Sequence, residues 1–273
     1  MELSVPVDGG HLWADDTGGD GPVLVLLHPG WGDSSIWLPV LERLPPHYRV
    51  IRYDTRGFGK SPAPAAPFSQ VDDLAAVLDN RGIDLAILAG HSGGGGTAIG
   101  LALADPARVR GLLLLAPGIP DYPWPPDDPY SRQFDKLYAA GDRDGIAELG
   151  LRTWAAAGAD QAAQAQVRGA AEAFFRVGDF ERADPPGYGR LGQIRAPATV
   201  VVGDREYPMV ARCAADIAAR IPGCRQVTAP GADHLLPLRV PAMIADLVGN
   251  LDGQPAGSAR CGVIPAASSS STT

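Results

Sequence analysis

The chain sets one serine among five glycines at Gly90-His91-Ser92-Gly93-Gly94-Gly95-Gly96, between an apolar run at 85–89 (LAILA) and a helix-like stretch at 97–104 (TAIGLALA). Glycine in the first turns of a helix costs about 1 kcal/mol apiece relative to alanine. The backbone is therefore needed bare here more than the helix needs stability. A strand has to end, turn within a residue or two and start a helix. That requirement favours folds in which strands alternate with helices.

The rest of the chain fits such alternation. Segments 23–27, 48–53, 85–89, 109–115 and 199–202 are short, nearly continuous apolar runs. Runs of this length suit parallel strands buried on both faces. Between them lie helical patterns; one starts at Ser69-Gln70-Val71-Asp72, like a capping box, and repeats Val71, Leu74 and Leu78 on one face. The expected class is α/β: a mostly parallel central sheet flanked by helices. Segments 3–7 and 11–15, separated by Asp8-Gly9-Gly10, predict a hairpin at the sheet edge. With 45% hydrophobic residues in 273, the chain can bury one large core.

The pattern breaks over 118–191, which opens with the proline-rich IPDYPWPPDDPY and continues as alanine-rich helix. From Gly118 to Gly192 lie ten of the eighteen aromatic residues, including Tyr122, Trp124, Tyr130, Phe134, Trp154 and Phe174. Because the segment follows a strand, where α/β folds place ligands, it is expected to be a helical lid with Tyr122 and Trp124 lining an apolar pocket. Residues 1–117 and 192–251 then form the core, and 252–273, without periodicity, a disordered tail.

A net charge of −8 argues against nucleic acid as a partner. There is no apolar run of 18 residues to span a membrane, and the N-terminus has no leader pattern. Cys213, Cys224 and Cys261 are odd in number and show no metal-like spacing. Reduced thiols, a cytoplasmic location and no metal or organic cofactor are the expectations.

Gly90-His91-Ser92-Gly93-Gly94 fits G-x-S-x-G in the strand–turn–helix context of a nucleophile elbow. Ser92 is the expected nucleophile, and the Gly93 N–H, at a helix N-terminus, can hold an oxyanion. Gly95 and Gly96 exceed the motif and suggest close packing of the helix on the sheet. His28-Pro29-Gly30-Trp31-Gly32 leaves the strand at 23–27, where a second oxyanion donor is needed; the Trp31 N–H is assigned, with Gly30 one residue away in register. A serine needs an adjacent base. His91 neighbours the serine and should be turned away, His11 and His47 lie in edge segments, and His28 belongs to the oxyanion loop. His234, in Pro230-Gly231-Ala232-Asp233-His234 after the last strand, remains. The carboxylate that fixes its tautomer lies among Asp204 and Glu206, at the end of the strand 199–202, and Asp121, after the preceding one.

The order serine, acid, histidine, together with HPGWG, Asp54-Thr55-Arg56-Gly57-Phe58-Gly59-Lys60-Ser61, GHSGG, GDREYP and GADH, resembles the α/β-hydrolases over residues 3–251. The branch with a lid, which includes many esterases and lactone hydrolases, is most similar. There the acid stands three residues after the strand-end glycine, which implies Glu206 here, where aspartate is usual. The Asp54–Ser61 stretch is expected to be structural. The resemblance implies a serine hydrolase for a small apolar carboxylic ester or lactone, with Ser92, His234 and Glu206 as the triad. Hydrolysis of a carbon–carbon bond, perhydrolysis, or a non-enzymatic role as a small-molecule receptor are the alternatives on similar scaffolds.

Overall fold

The computed structural model describes residues 1–252. Of the expected tail at 252–273, Asp252 ends the last helix, and residues 253–273, with Cys261, lie outside the described residues. Eight strands, β1 (Glu2–Val7), β2 (Gly10–Asp16), β3 (Val23–Leu27), β4 (Arg49–Tyr53), β5 (Ala86–His91), β6 (Val109–Leu115), β7 (Ala198–Gly203) and β8 (Arg225–Ala229), form one sheet. Their order is β1-β2-β4-β3-β5-β6-β7-β8. β1 and β2 form the edge hairpin, closing at Val7 opposite Gly10, and β2 pairs antiparallel with β4. Every other pairing is parallel.

The helices are α1 (Leu38–Leu41), α2 (Gln70–Asn80), α3 (Gly93–Ala104), α4 (Pro129–Ala139), α5 (Arg143–Trp154), α6 (Gln161–Val177), α7 (Pro208–Arg220), α8 (Leu236–Arg239) and α9 (Pro241–Asp252). None of the helices among the described residues is long and apolar enough to cross a membrane. Side chains of the central strands alternate between two cores, as the two-residue repeat of a strand requires. Leu24, Leu26, Ile87, Leu113 and Val201 face one core, shared with α9, α5 and α6. Val25, Leu27, Leu88, Leu112 and Val200 face the other, under α2, α3 and α7. Both cores bury leucine and isoleucine completely, each contributing about 1.5–3 kcal/mol.

Local signals set the helix starts. Ser69 caps α2 by accepting from the Asp72 N–H at 3.1 Å, and Val71, Leu74 and Leu78 pack inward. Between β6 and β7 lie α4, α5 and α6, each capped by an aspartate: Asp128, Asp142 and Asp160. This is the aromatic segment, and the rings of Tyr130, Phe134, Tyr138, Trp154, Phe174 and Phe175 join the core shared with α9.

Candidate active site

Ser92 is the single residue between β5 and α3, with φ 53° and ψ −115°. That conformation costs a non-glycine residue about 1–3 kcal/mol unless its surroundings over-determine it. They do. The Ser92 N–H donates to the Leu115 carbonyl on β6 at 2.8 Å, and the Ser92 carbonyl accepts from the N–H groups of Gly95 at 2.9 Å and Gly118 at 3.0 Å. Glycine is needed on either side because the backbone approaches itself. A Cβ on Gly90 would lie 2.7 Å from Gly95 Cα, and one on Gly94 would lie 2.6 Å from the Leu27 carbonyl oxygen. The two further glycines have a different neighbour from the one expected. Gly95 faces Pro117, and Gly96 faces the Gly118 carbonyl oxygen at 2.6 Å from a built Cβ. They let α3 close on the loop leaving β6, rather than on the sheet.

The loops after β7 and β8 are joined side by side. A Cβ on Gly203 would lie 3.0 Å from the Asp233 carbonyl oxygen, the Asp204 N–H donates to Ala229 O at 3.1 Å, and the Arg205 N–H donates to Ala232 O at 2.9 Å. This contact brings Glu206 to His234. Glu206 Oε2 lies 2.9 Å from His234 Nδ1, with both side chains buried, and Glu206 Oε1 accepts from the Tyr207 N–H at 2.8 Å. The other two acids are engaged elsewhere. Asp204 accepts from the Gly231 N–H at 2.7 Å, tying the two loops, and Asp121 accepts from the Tyr188 N–H at 3.0 Å.

His91 is turned from Ser92, yet it is not idle. Its Nε2 lies 2.7 Å from the His234 carbonyl oxygen, and the two rings are 5.1 Å apart. Since a carbonyl only accepts, Nε2 carries the proton. Burial first, and the neighbouring His234 second, hold His91 well below the usual histidine range, so it stays neutral. A sequence neighbour of the serine thus fixes the backbone of the candidate base. Asp233, fully buried, adds a second anchor. It accepts from Arg239 Nε at 3.0 Å, from Arg239 Nη2 at 3.1 Å and from the Ala157 N–H at 2.8 Å. Arg239→Met would strand that buried carboxylate. Its expected cost is about 3 kcal/mol of stability, read from the denaturant midpoint; a loss below about 1 kcal/mol would contradict the anchoring role.

On the other side of Ser92, His28 Nε2 accepts from the Thr55 N–H at 3.0 Å, so its proton sits on Nδ1 and is donated to Pro29 O at 2.8 Å. Asp54 and Arg56 hold the Asp54–Ser61 loop in place: Asp54 accepts from the Ser34 and Lys60 N–H groups at 2.8 Å each, and Arg56 pairs with Asp73 at 2.7 Å, while Thr55 and Phe58 line the cavity at Ser92. Gly30 and Gly93 face each other, with Gly30 N 3.8 Å from a Cβ built on Gly93. The Trp31 indole is buried among Tyr130, Phe134, Trp154 and Phe174, 4.9 Å from the last ring, and Gly30, one residue earlier, lines the cavity at Ser92.

That cavity measures about 690 Å³ and is lined by Ser92, Gly93, Gly30, Trp124, Phe134 and Phe174 among others. His234 and Glu206 are not on its wall, and among the described residues Ser92 Oγ makes no hydrogen bond to His234. Such contacts are often long in ligand-free enzymes and tighten when substrate binds. Trp124 lines the cavity as expected, but Tyr122 does not. The Tyr122 phenol donates to Asp216 on α7 at 2.7 Å and belongs to the core on the opposite face; burial and that carboxylate push it up to about 12. A two-residue alternation within an irregular segment separates the two rings. Tyr122→Phe should therefore cost about 1 kcal/mol in thermal or denaturant stability and leave any substrate preference untouched. A changed preference would return Tyr122 to the pocket.

A family profile described as "Alpha/beta hydrolase family" matches residues 24–247. A pimeloyl-(acyl-carrier protein) methyl ester esterase of Legionella pneumophila is 39% identical over 114 residues, spanning 40% of this chain and 45% of that protein. The chain thus matches less than half the length of this relative. The Escherichia coli K12 protein RutD, a carbamate hydrolase by name, is 27% identical over 234 residues, covering 79% of this chain and 85% of RutD. Among solved structures, Est816, described as an N-acyl homoserine lactone degrading enzyme, superposes with a TM-score of 0.74 at 27% identity, covering 91% of this chain and 99% of Est816.

Proposed function

Because the chain belongs to the alpha/beta hydrolase family, we propose that it is a serine hydrolase cleaving a carboxylic ester or lactone through an acyl-enzyme. The carrying observation is the buried 2.9 Å contact of His234 Nδ1 with Glu206 Oε2, set beside the strained Ser92 by the His91 hydrogen bond. Ser92 Oγ attacks the carbonyl carbon while His234 Nε2 takes its proton. Glu206 accepts from Nδ1–H, which fixes the tautomer that leaves Nε2 free and stabilises the imidazolium. The N–H groups of Gly93 and Gly30 hold the oxyanion, with the positive end of α3 behind Gly93. Gly30 is preferred to Trp31 because it lines the cavity with Ser92. The tetrahedral intermediate collapses, the C–O bond breaks, and His234 returns the proton to the leaving alkoxide. Water, deprotonated by His234, then adds to the acyl carbon and releases the acid and Ser92.

The methyl ester esterase and lactone-degrading relatives support this substrate class. Steady turnover of short p-nitrophenyl esters and of a simple lactone is the direct test, and a chain that binds them without turnover would sink the hydrolase reading. In the same reading α4–α6 and the strap before them form a lid. Trp124, on the cavity wall and 39% exposed, contacts the substrate. Trp124→Ala should shift the preference between short and bulky esters by roughly 10-fold, as about 1–3 kcal/mol of apolar contact implies. An unchanged ratio would place the indole outside the binding surface.

A further inference from the structure

The cavity wall is not uniformly apolar. No lysine or arginine lines it, while four carboxylates do: Asp135, Asp179, Glu181 and Asp184. Among the described residues, none of the four takes part in a salt bridge, and Arg56 and Arg182, on the elements that meet here, are paired instead with Asp73 and Asp72. Three of the four belong to the strap that follows α6. The strap is pinned beside the start of α2: the Phe68 N–H donates to Phe180 O at 3.0 Å, the Arg182 N–H donates to Phe68 O at 2.8 Å, and Ser69 Oγ donates to Asp184 at 2.5 Å.

Two neutral groups complete the patch, and each has a buried oxygen without a partner. Tyr53, at the end of β4, is 1% exposed and lines the cavity, yet its Oη makes no hydrogen bond. Gln70, at the first position of α2, also lines the cavity, and its Oε1 is equally unpartnered. A buried phenol and a buried amide oxygen without partners are rare in folded proteins. Glu181, although exposed as a residue, has its carboxyl held above the usual range by surrounding protein; a hydrogen bond from the Gln70 side chain offsets part of the rise, and Asp184 and Asp73 add to it. A cation would relieve that crowding. A metal ion is a poor candidate, because among the described residues no group of three carboxylate, histidine or cysteine side chains is arranged to hold one. Wanted instead is a ligand with positive charge and several hydrogen-bond donors.

We propose that the substrate carries a protonated primary amine, held by Glu181, Asp184, Gln70 Oε1 and Tyr53 Oη while its ester or lactone carbonyl lies at Ser92. This rests on the hydrolase reading above. An ammonium group offers three donors and no acceptor, which matches a patch made of acceptors and one phenol.

Methyl esters of ω-aminoalkanoic acids, with three to eight carbons in the acid, are compared with their methyl-terminated and ω-hydroxy isosteres at low ionic strength. At the best chain length the amino ester should exceed the methyl-terminated ester in kcat/KM by roughly 10-fold or more, the scale of one charged hydrogen bond. The advantage should shrink as salt is added. Glu181→Gln should reduce this ratio to near one, and because both esters are measured in each variant, a general loss of activity cancels. Equal rates at every chain length overturn the proposal, as does an ω-hydroxy ester that shares the whole advantage. If no ester is hydrolysed, the hydrolase reading fails by itself. Calorimetric titration with hexylammonium then decides the amine: binding weakened roughly 10-fold in Glu181→Gln supports it, and equal or absent binding overturns it.

Discussion

Ser92→Ala is expected to abolish covalent labelling by a fluorophosphonate and to lower kcat by on the order of 10⁵–10⁶. The size follows from what the oxygen does in the proposed reaction. It is the only atom that forms the acyl bond, and His234 has no other positioned nucleophile to deprotonate. The residual rate then reflects the oxyanion N–H groups and substrate binding alone. The variant should fold, because the turn is held by backbone bonds to Leu115, Gly95 and Gly118 that do not involve the hydroxyl. Alanine at φ 53° bears the same strain as serine, so its melting temperature should match the wild type. Ser92→Gly, equally inactive, should be more stable by about 1 kcal/mol, since glycine enters this region freely. Labelling that survives in Ser92→Ala would remove the nucleophile assignment. A glycine variant no more stable than the alanine one would remove the strain.

The parts of this site that were legible in the sequence are those in which local chemistry and chain direction agree. The elbow was readable because its demand for bare backbone is local: Gly90 and Gly94 stand where carbonyl and Cα atoms come within 2.7 Å of a built Cβ. The strands were readable because burial on both faces makes them continuously apolar. His234 followed from its place after β8; place alone left Glu206, Asp204 and Asp121 open, the family resemblance implied Glu206, and the structure brings Glu206 into contact with His234. Other features depend on tertiary placement. Tyr122 and Trp124 lie two residues apart in a proline-rich segment with no helical or strand period, so nothing in the sequence separates the ring on the cavity from the ring on Asp216. Gly30 and Trp31 differ by one position in a loop, and no sequence signal separates them as oxyanion donors. The reach of His91 to the His234 carbonyl spans 143 residues. The carboxylate patch joins α2 to the strap across a separation of 115 residues. An acid-rich strap reads in sequence as a solvated loop, and its facing Tyr53 and Gln70 carry no signal at that distance.

The acid of the triad is the second large expectation. Glu206→Gln should lower kcat by about 10⁴ with the fold intact, the scale seen when a triad carboxylate becomes an amide. The glutamine can still accept from the Tyr207 N–H through its carbonyl, which turns its NH₂ toward His234 Nδ1. A donor facing Nδ1 forces the proton onto Nε2, where it blocks acceptance from Ser92. The loss should therefore fall on kcat rather than KM, and fluorophosphonate labelling should slow in proportion. Asp204, two residues earlier, bears on a different bond. It accepts from the Gly231 N–H at 2.7 Å and so joins the two loops without touching the imidazole. Asp204→Ala should cost about 1 kcal/mol of stability and change kcat by less than a factor of a few. Asp121, on the Tyr188 N–H, should behave likewise. A glutamate side chain is one methylene longer than that of aspartate, and the contact with Nδ1 uses that reach. Glu206→Asp then tests reach separately from charge: the shorter acid keeps the charge and loses the 2.9 Å contact. Its activity should fall between the wild type and the amide. A variant as active as the wild type would mean that the loop can close the gap. Exchange of the two main outcomes, with Asp204→Ala inactive and Glu206→Gln active, would transfer the role to Asp204.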